Sequence, residues 1–461
     1  MTDPAGLLSI APWPDDPLPA IRSLGTDRVV VALDDDPTGT QTVRATPVLT
    51  RWDAARLRSQ LERPETLAFL LTNSRSRAVQ LAALQARQIG QLLAATASST
   101  RGWSVVSRSD STLRGHFPAE VDALIDGLGA PDTRVLLAPF FGDGGRLTIN
   151  GIHYLRRDDA LVPVAETEFA HDPVFGYVSS DLRAWVRERD PSREHVSSVD
   201  LAAVRGGGPD AIRRALLELP PRGVLVVDAA LERDIEVIAL GALLAERDGL
   251  PLVARSAASY VRARAGREPA RPLALHEVRT GLPGLVVIGS HVPTTTTQLE
   301  ALLADPPTPI VPIEVRVETV IGAEDAADGA ITTLAARARE AIASGRTPVL
   351  WTSRALVRGA DQEADLRTAA RVSAALVALV QGIEERPAWI LAKGGITSSD
   401  VATDALEVDE AEIVGPLLPG VPLWRCGAGS RFPGLDYVVF PGNVGGPGAL
   451  RDAVARMAGV S

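Results

Sequence analysis

Short runs of β-branched and aliphatic residues alternate with longer stretches of helical period along almost the whole chain. That alternation predicts an α/β protein built on mostly parallel sheets flanked by helices. In the first half it predicts strands at Arg28–Leu33, Leu67–Thr72, Trp103–Ser107, Arg134–Ala138 and Gly223–Val227, with helices over Gln80–Ala95, Pro118–Leu128 and Glu232–Glu246. In the second half the pattern restarts. Strands are expected at Leu285–Gly289, Pro309–Val315, Pro348–Trp351, Ala388–Ala392 and Tyr437–Phe440, and helices near Ala327–Ser344, Leu366–Glu384 and Pro447–Met457. Between the halves, Ala265–Pro283 carries three prolines and no clear period, the composition of an inter-domain linker. The expectation is two domains, 1–264 and 284–461, joined by a linker at 265–283.

A length of 461 residues, 46% of them hydrophobic, suits two or three domains with sizeable cores. No apolar run approaches the ~18 residues that a membrane span needs. The opening segment is acidic and broken by prolines instead of basic and then apolar, so a cytoplasmic protein is expected. A net charge of −10 argues against nucleic-acid binding, which needs a basic stripe. The single cysteine, Cys426, can form neither an internal disulfide nor a cysteine metal cluster. Of 47 basic residues only Lys393 is a lysine, and a position that keeps a compact ammonium amid such arginine bias is a candidate for a specific task.

Ligands of open parallel sheets bind at the carboxyl ends of the strands, and several clusters fall there. The first strand ends in Asp34, Asp35 and Asp36 followed by Pro-Thr-Gly-Thr, where adjacent carboxylates are costly unless cations, hydroxyls or a metal meet them. A solvated acidic turn is the plainer reading. After the third strand, Arg108, Asp110, Ser111, Thr112, Arg114 and Gly115 crowd into eight positions. Asp110 there could simply cap the next helix, but two arginines flanking hydroxyls make a carboxylate receptor. Arg75 repeats the theme after the second strand. Gly144, Gly145 and Arg146 read as a flexible loop bearing a cation, and Thr167 and Asp172 sit in a polar loop that could line the same pocket.

In the second half, Gly289 and Ser290 precede a threonine-rich helix start, a place for an anion or a ribose hydroxyl. Lys393, Gly394, Gly395 and Thr397 form one glycine turn, and Gly442, Asn443, Gly445 and Gly446 form another. Glycines let backbone amides approach phosphates. No P-loop or dinucleotide fingerprint is present, and the six histidines are too scattered for a metal motif.

Taken together, Asp35–Thr40 (DDPTGT), Asp110–Gly115 (DSTLRG), Gly145–Arg146, Gly289–Ser290, Gly394–Gly395 and Gly442–Gly445 resemble the four-carbon acid sugar kinases, which act on 3-oxo-tetronate, threonate or erythronate. The resemblance implies an acid-binding N-terminal domain, an ATP-binding C-terminal domain, a site in the cleft between them, and γ-phosphoryl transfer with Mg²⁺ to a terminal hydroxyl. On that basis Arg75, Arg108, Arg114 and Arg146 are candidates for the carboxylate, and Asp35 or Asp36 for orienting or deprotonating the attacking hydroxyl. Asp110 would bond another hydroxyl, with Thr38, Gly39, Ser111, Thr112 and Gly145 lining the acid. Ser290, Lys393, Gly394, Gly395, Thr397, Gly442, Asn443 and Gly445 would hold the nucleotide, and no metal ligands are assigned. The expected partners are a small sugar acid and ATP, with a homodimer left open.

Two departures stand out. Many members read GGDT where this chain has Gly394-Gly395-Ile396-Thr397, and many carry a lysine ahead of the last glycine turn where this chain has Phe440. Relocation of the phosphate cation to Lys393 is one reading. A sugar-acid sensor without nucleotide chemistry is the alternative, and an isomerase or dehydrogenase of four-carbon acids is a more distant one.

Overall fold

The computed structural model describes residues 4–96, 102–158, 160–354 and 362–460. It divides into two compact units, Met1–Thr42 with Arg51–Pro269, and Val43–Thr50 with Ala270–Ser461. The segment read as a linker therefore divides at Pro269. Its later part is packed, since Leu273 and Val278 are buried in the core of the second unit, and the Leu273 amide donates to the Pro416 carbonyl at 2.8 Å.

In the first unit the strands lie in the order Leu67–Leu71, Arg28–Asp34, Gly102–Arg108, Leu252–Ser256, Arg134–Ala138, Val224–Val227 and Val196–Val199, all parallel. Burial of nearly every residue in Arg28–Asp34 and Leu67–Leu71 fits a sheet covered on both faces. Helices such as Val79–Thr96, Ala119–Leu128 and Glu232–Arg247 provide the cover. A separate three-stranded antiparallel sheet joins Arg146–Ile149, Ile152–Arg157 and Ala160–Pro163. Arg146 thus opens a strand, correcting the expectation of a flexible loop: its amide and carbonyl both bond Phe141 at 2.9 Å, closing the turn.

In the second unit, Ile310–Val315, Thr347–Thr352, Leu285–Ile288, Trp389–Lys393 and Asp436–Phe440 run parallel. The sheet continues antiparallel through Val421–Cys426, Glu410–Leu418 and Thr46–Leu49. That last strand comes from the first half of the sequence, and a single cut in the chain cannot represent it. In both units the parallel strands end where the motif residues begin.

Candidate active site

The acid-side cluster is built on three neighbouring strand ends. Arg28–Asp34 pairs with Gly102–Arg108 so that Asp34 lies opposite Arg108. Arg108 donates through Nη1 to Asp34 Oδ1 at 2.7 Å and to Asp35 Oδ1 at 3.2 Å. Both carboxylates are buried, Asp34 completely. Gly39 makes this packing possible: a Cβ there would sit 2.3 Å from Arg108 Cζ and 2.4 Å from Asp34 Oδ1. Burial pushes the Asp34 carboxyl up to about 7, against the pull of Arg108. Burial also raises Asp35, opposed by Arg75, Arg108 and Arg255.

Arg75, from the turn Ser74–Ser76, reaches Asp36 Oδ2 at 2.5 Å and Asp110 Oδ1 at 3.1 Å. Arg114 grips Asp110 with Nε at 2.9 Å and Nη2 at 3.2 Å. Burial alone would raise Asp110, but Arg114 and Arg75 outweigh it and hold the carboxyl well below its usual value. Asp36 behaves likewise, with Arg75 and the Thr38 contacts overcoming burial. The Thr38 amide donates to Asp36 Oδ1 at 2.8 Å, and the Thr112 amide and hydroxyl both donate to Asp110 Oδ2. Asp110 therefore organises its own turn and does not cap the following helix, which begins at Ala119.

The Asp110–Arg114 turn is pinned from behind by two residues that carry no sequence signal. His153 Nε2 donates to the Ser111 carbonyl at 2.8 Å, so its Nδ1 accepts from the Thr148 hydroxyl at 2.9 Å. Burial lowers this imidazole to about 4, which keeps it neutral. The Tyr177 hydroxyl donates to the Thr112 carbonyl at 2.8 Å. Asp172, read as a pocket-lining residue, places Oδ2 3.6 Å from Arg114 Nη1. Thr167 instead turns inward, donating to the Val164 carbonyl at 2.7 Å.

Arg146 differs from the other arginines. Arg75, Arg108 and Arg114 are each ion-paired to aspartates. Arg146 has no ion pair within 4 Å among the described residues; it donates to the Gly144 carbonyl, and its buried Nε has no partner. Its guanidinium lies 5.9 Å from the centroid of the Phe169 ring, and that of Arg114 lies 5.0 Å from the same ring. Asp34 Oδ2, Asp35 Oδ2 and Arg108 Nε are also buried without partners. Four buried polar atoms without a partner thus lie in this cluster, each calling for an explanation.

In the second unit the glycine turns converge. Gly289, Ser290, Gly394, Thr397 and Gly442 are mutual neighbours: a Cβ on Gly289 would meet Thr397 Oγ1 at 2.1 Å, and one on Gly442 would meet Ser290 Oγ at 2.5 Å. Gly394 has φ +117°, with Ser290 Cβ 3.1 Å from its Cβ position, so it is restricted to glycine by conformation as well as space. Helix Gly395–Asp400 starts at this turn. Gln298 Nε2 gathers the carbonyls of Val444, Gly445 and Gly446 at 2.9–3.1 Å. Asn443 is exposed. Lys393 is fully buried, donating to the Pro441 carbonyl at 3.0 Å. Arg354, absent from the sequence reading, donates to the Ser290 carbonyl at 2.6 Å. Small residues and two cations thus gather at these strand ends, where the Gly289 and Ser290 amides donate to the Lys393 carbonyl and the Gly394 amide to the Phe440 carbonyl. Among the described residues no group of three or more His, Cys, Asp or Glu side chains is placed to hold a metal ion.

Residues 30–264 match the family model of a sugar-binding N-terminal domain, and residues 285–450 match that of a nucleotide-binding C-terminal domain. The chain belongs to the four-carbon acid sugar kinase family. A D-erythronate kinase of Heliobacterium modesticaldum is 32% identical over 42% of each chain. A D-threonate kinase of Salmonella typhimurium is 28% identical over 76% of this chain and 79% of its own. Among solved structures, a Haemophilus influenzae protein superposes with a TM-score of 0.62 over 93% of this chain and 100% of its own, at 19% identity, a likeness of fold. The family's two domains thus coincide with the two clusters, and among the described residues no helix is long and apolar enough to cross a membrane.

Proposed function

We propose that this four-carbon acid sugar kinase family member transfers the γ-phosphoryl group of ATP to the terminal hydroxyl of a tetronate or 3-oxo-tetronate. The observation that carries the acid half is Arg146, an arginine without an ion pair among three that have one. A substrate carboxylate would supply the missing partner, because a guanidinium binds a carboxylate through paired, charge-assisted bonds. Asp36 and Asp110, held ionised by Arg75 and Arg114, are acceptors for sugar hydroxyls. Asp35 or Asp36 would orient or deprotonate the attacking hydroxyl. The names of the erythronate and threonate kinase relatives support the same substrate class.

The nucleotide half rests on the Ser290, Gly394, Thr397 and Gly442 cluster, with Lys393 and Arg354 as cations. Mg²⁺ would arrive on the triphosphate, its usual mode of binding with few protein ligands, and neutralise charge there. Phosphoryl transfer asks chiefly for positioning and charge neutralisation, and both clusters supply them. We place acid binding in residues 1–264 and nucleotide binding in 284–461.

Burial of Lys393 against Phe440 favours a second reading, a sugar-acid sensor. Thermal shift and coupled assay separate the two. The kinase reading expects stabilisation by a C4 acid and by Mg-ATP, with ADP release on a panel of tetronates. Stabilisation by the acid alone, with no turnover of any acid in the panel, would establish the sensor.

A further inference from the structure

A buried cation beside the acid cluster escapes every sequence motif. Arg255 lies on strand Leu252–Ser256, between Gly102–Arg108 and Arg134–Ala138, and is 2% exposed. An apolar residue would serve the sheet better there, since a buried guanidinium is costly unless carboxylates answer it. Its register partner is Ser107, whose Oγ accepts from Nη1 at 3.2 Å. Glu120 Oε2 lies 3.7 Å from Nη1 and makes no hydrogen bond of its own.

On the other side of Arg255 is Gly115, with φ +122°. A Cβ on Gly115 would be 2.7 Å from Arg255 Nη2 and 3.5 Å from Asp35 Oδ2. The guanidinium of Arg255 and the carboxylate of Asp35 therefore both border the Cβ position that glycine leaves open. Asp35 Oδ2 is buried without a hydrogen-bond partner, while Oδ1 accepts from Arg108.

We infer that Arg255 is a positioning residue of the acid site, acting through Asp35 beside Gly115 to favour the charged form of that carboxylate and leave its Oδ2 available to a substrate hydroxyl. The inference rests on the proposed reading of Asp35 as part of that site. Asp35 is faced by Arg75, Arg108 and Arg255 and by the carboxylate of Asp36; Arg255 is faced by Glu120, Asp35, Asp110 and Arg75. Burial works against the charge on Arg255, and Glu120 and Asp35 restore part of it.

The test is the pH profile of kcat/KM for the preferred tetronate with saturating Mg-ATP. Removing the cation in Arg255→Met leaves Asp35 harder to ionise, so the acidic limb moves to higher pH by about one unit. Arg255→Lys should restore much of the limb's position, and KM for ATP should stay within twofold. Glu120→Gln removes the competing carboxylate and strengthens the field of Arg255 on Asp35, so its limb moves to lower pH. A purely structural role would scale activity at every pH without moving the limb. An unmoved limb in an active Arg255→Met enzyme, or Glu120→Gln shifting in the same direction as Arg255→Met, overturns the inference. If Arg255→Met is too inactive for kinetics, the direction of the Glu120→Gln shift decides. Wild-type protein that phosphorylates no tetronate overturns the reading of the site and the inference with it.

Discussion

The ammonium of Lys393 lies 3.8 Å from the centroid of the Phe440 ring, and the two residues are register partners on adjacent parallel strands. Lys393 donates to the Pro441 carbonyl at this turn and is supported by the ring face. Its environment is unfavourable to charge: burial, reinforced by Arg354, lowers its pKa to about 7.

Lys393→Met should therefore separate function from stability. On the kinase reading, loss of a charge-assisted contact to phosphate costs about 10–100-fold in kcat/KM for ATP. The thermal shift given by the acid alone should persist. Activity within twofold of wild type would remove this lysine from nucleotide binding.

The same residue fixes the sign of a pH effect on folding. The folded-state pKa of about 7 lies below the ordinary 10.5. Between those values the unfolded chain binds a proton that the folded chain does not, so this group makes stability rise with pH, by up to about 1.4 kcal/mol per unit. Urea unfolding at pH 7, 8 and 9 should show a wild-type minus Lys393→Met difference that increases with pH.

Asp34 acts in the opposite sense. Its folded pKa of about 7 exceeds the ordinary 3.8, so its contribution is fully present below about pH 4 and is lost as pH rises through 7. Asp34→Asn should flatten that part of the stability profile. A wild-type minus Asp34→Asn difference that does not decline between pH 4 and 7 would contradict the assignment.

Gly39→Ala tests the tightest packing in the acid cluster. The added methyl would meet Arg108 Cζ and Asp34 Oδ1 inside contact distance, and both are held by their ion pair. Overpacking of this kind costs about 1–3 kcal/mol, read as a lower urea midpoint.

Much of this arrangement was readable from residue order alone. The apolar runs that became Arg28–Asp34, Arg134–Ala138 and Trp389–Lys393 are short, uninterrupted and followed by turn residues. Leu252–Ser256 was passed over because Arg255 interrupts its apolar run, although it is a central strand. Glu410–Leu418 and Val421–Cys426 were missed because glycine and prolines lie inside them, and these residues usually signal a break. Thr46–Leu49 does not declare itself because only Val48 and Leu49 of its four residues are aliphatic and Pro47 interrupts it. At the site, the motifs identified the aspartates and arginines, but not which of them pair with each other. That distinction depends on strand register, and it is what separates Arg146 from Arg75, Arg108 and Arg114.

Arg146→Ala should isolate that distinction. The other arginines neutralise buried or half-buried aspartates, so removing one leaves an uncompensated charge, and breaking such a buried pair costs about 3–5 kcal/mol. Arg146 donates to the Gly144 carbonyl, and burial lowers its pKa with only partial relief from Asp110. Its removal leaves no carboxylate stranded within ion-pair distance, so the urea midpoint should change little. Binding of the acid should instead weaken about 10–100-fold, the effect of one charge-assisted contact, while Mg-ATP still stabilises the protein. Arg108→Ala should show the reverse weighting, with a large loss of stability. Equal destabilisation by the two variants, or an unchanged KM for the acid in Arg146→Ala, would show that the substrate carboxylate docks elsewhere.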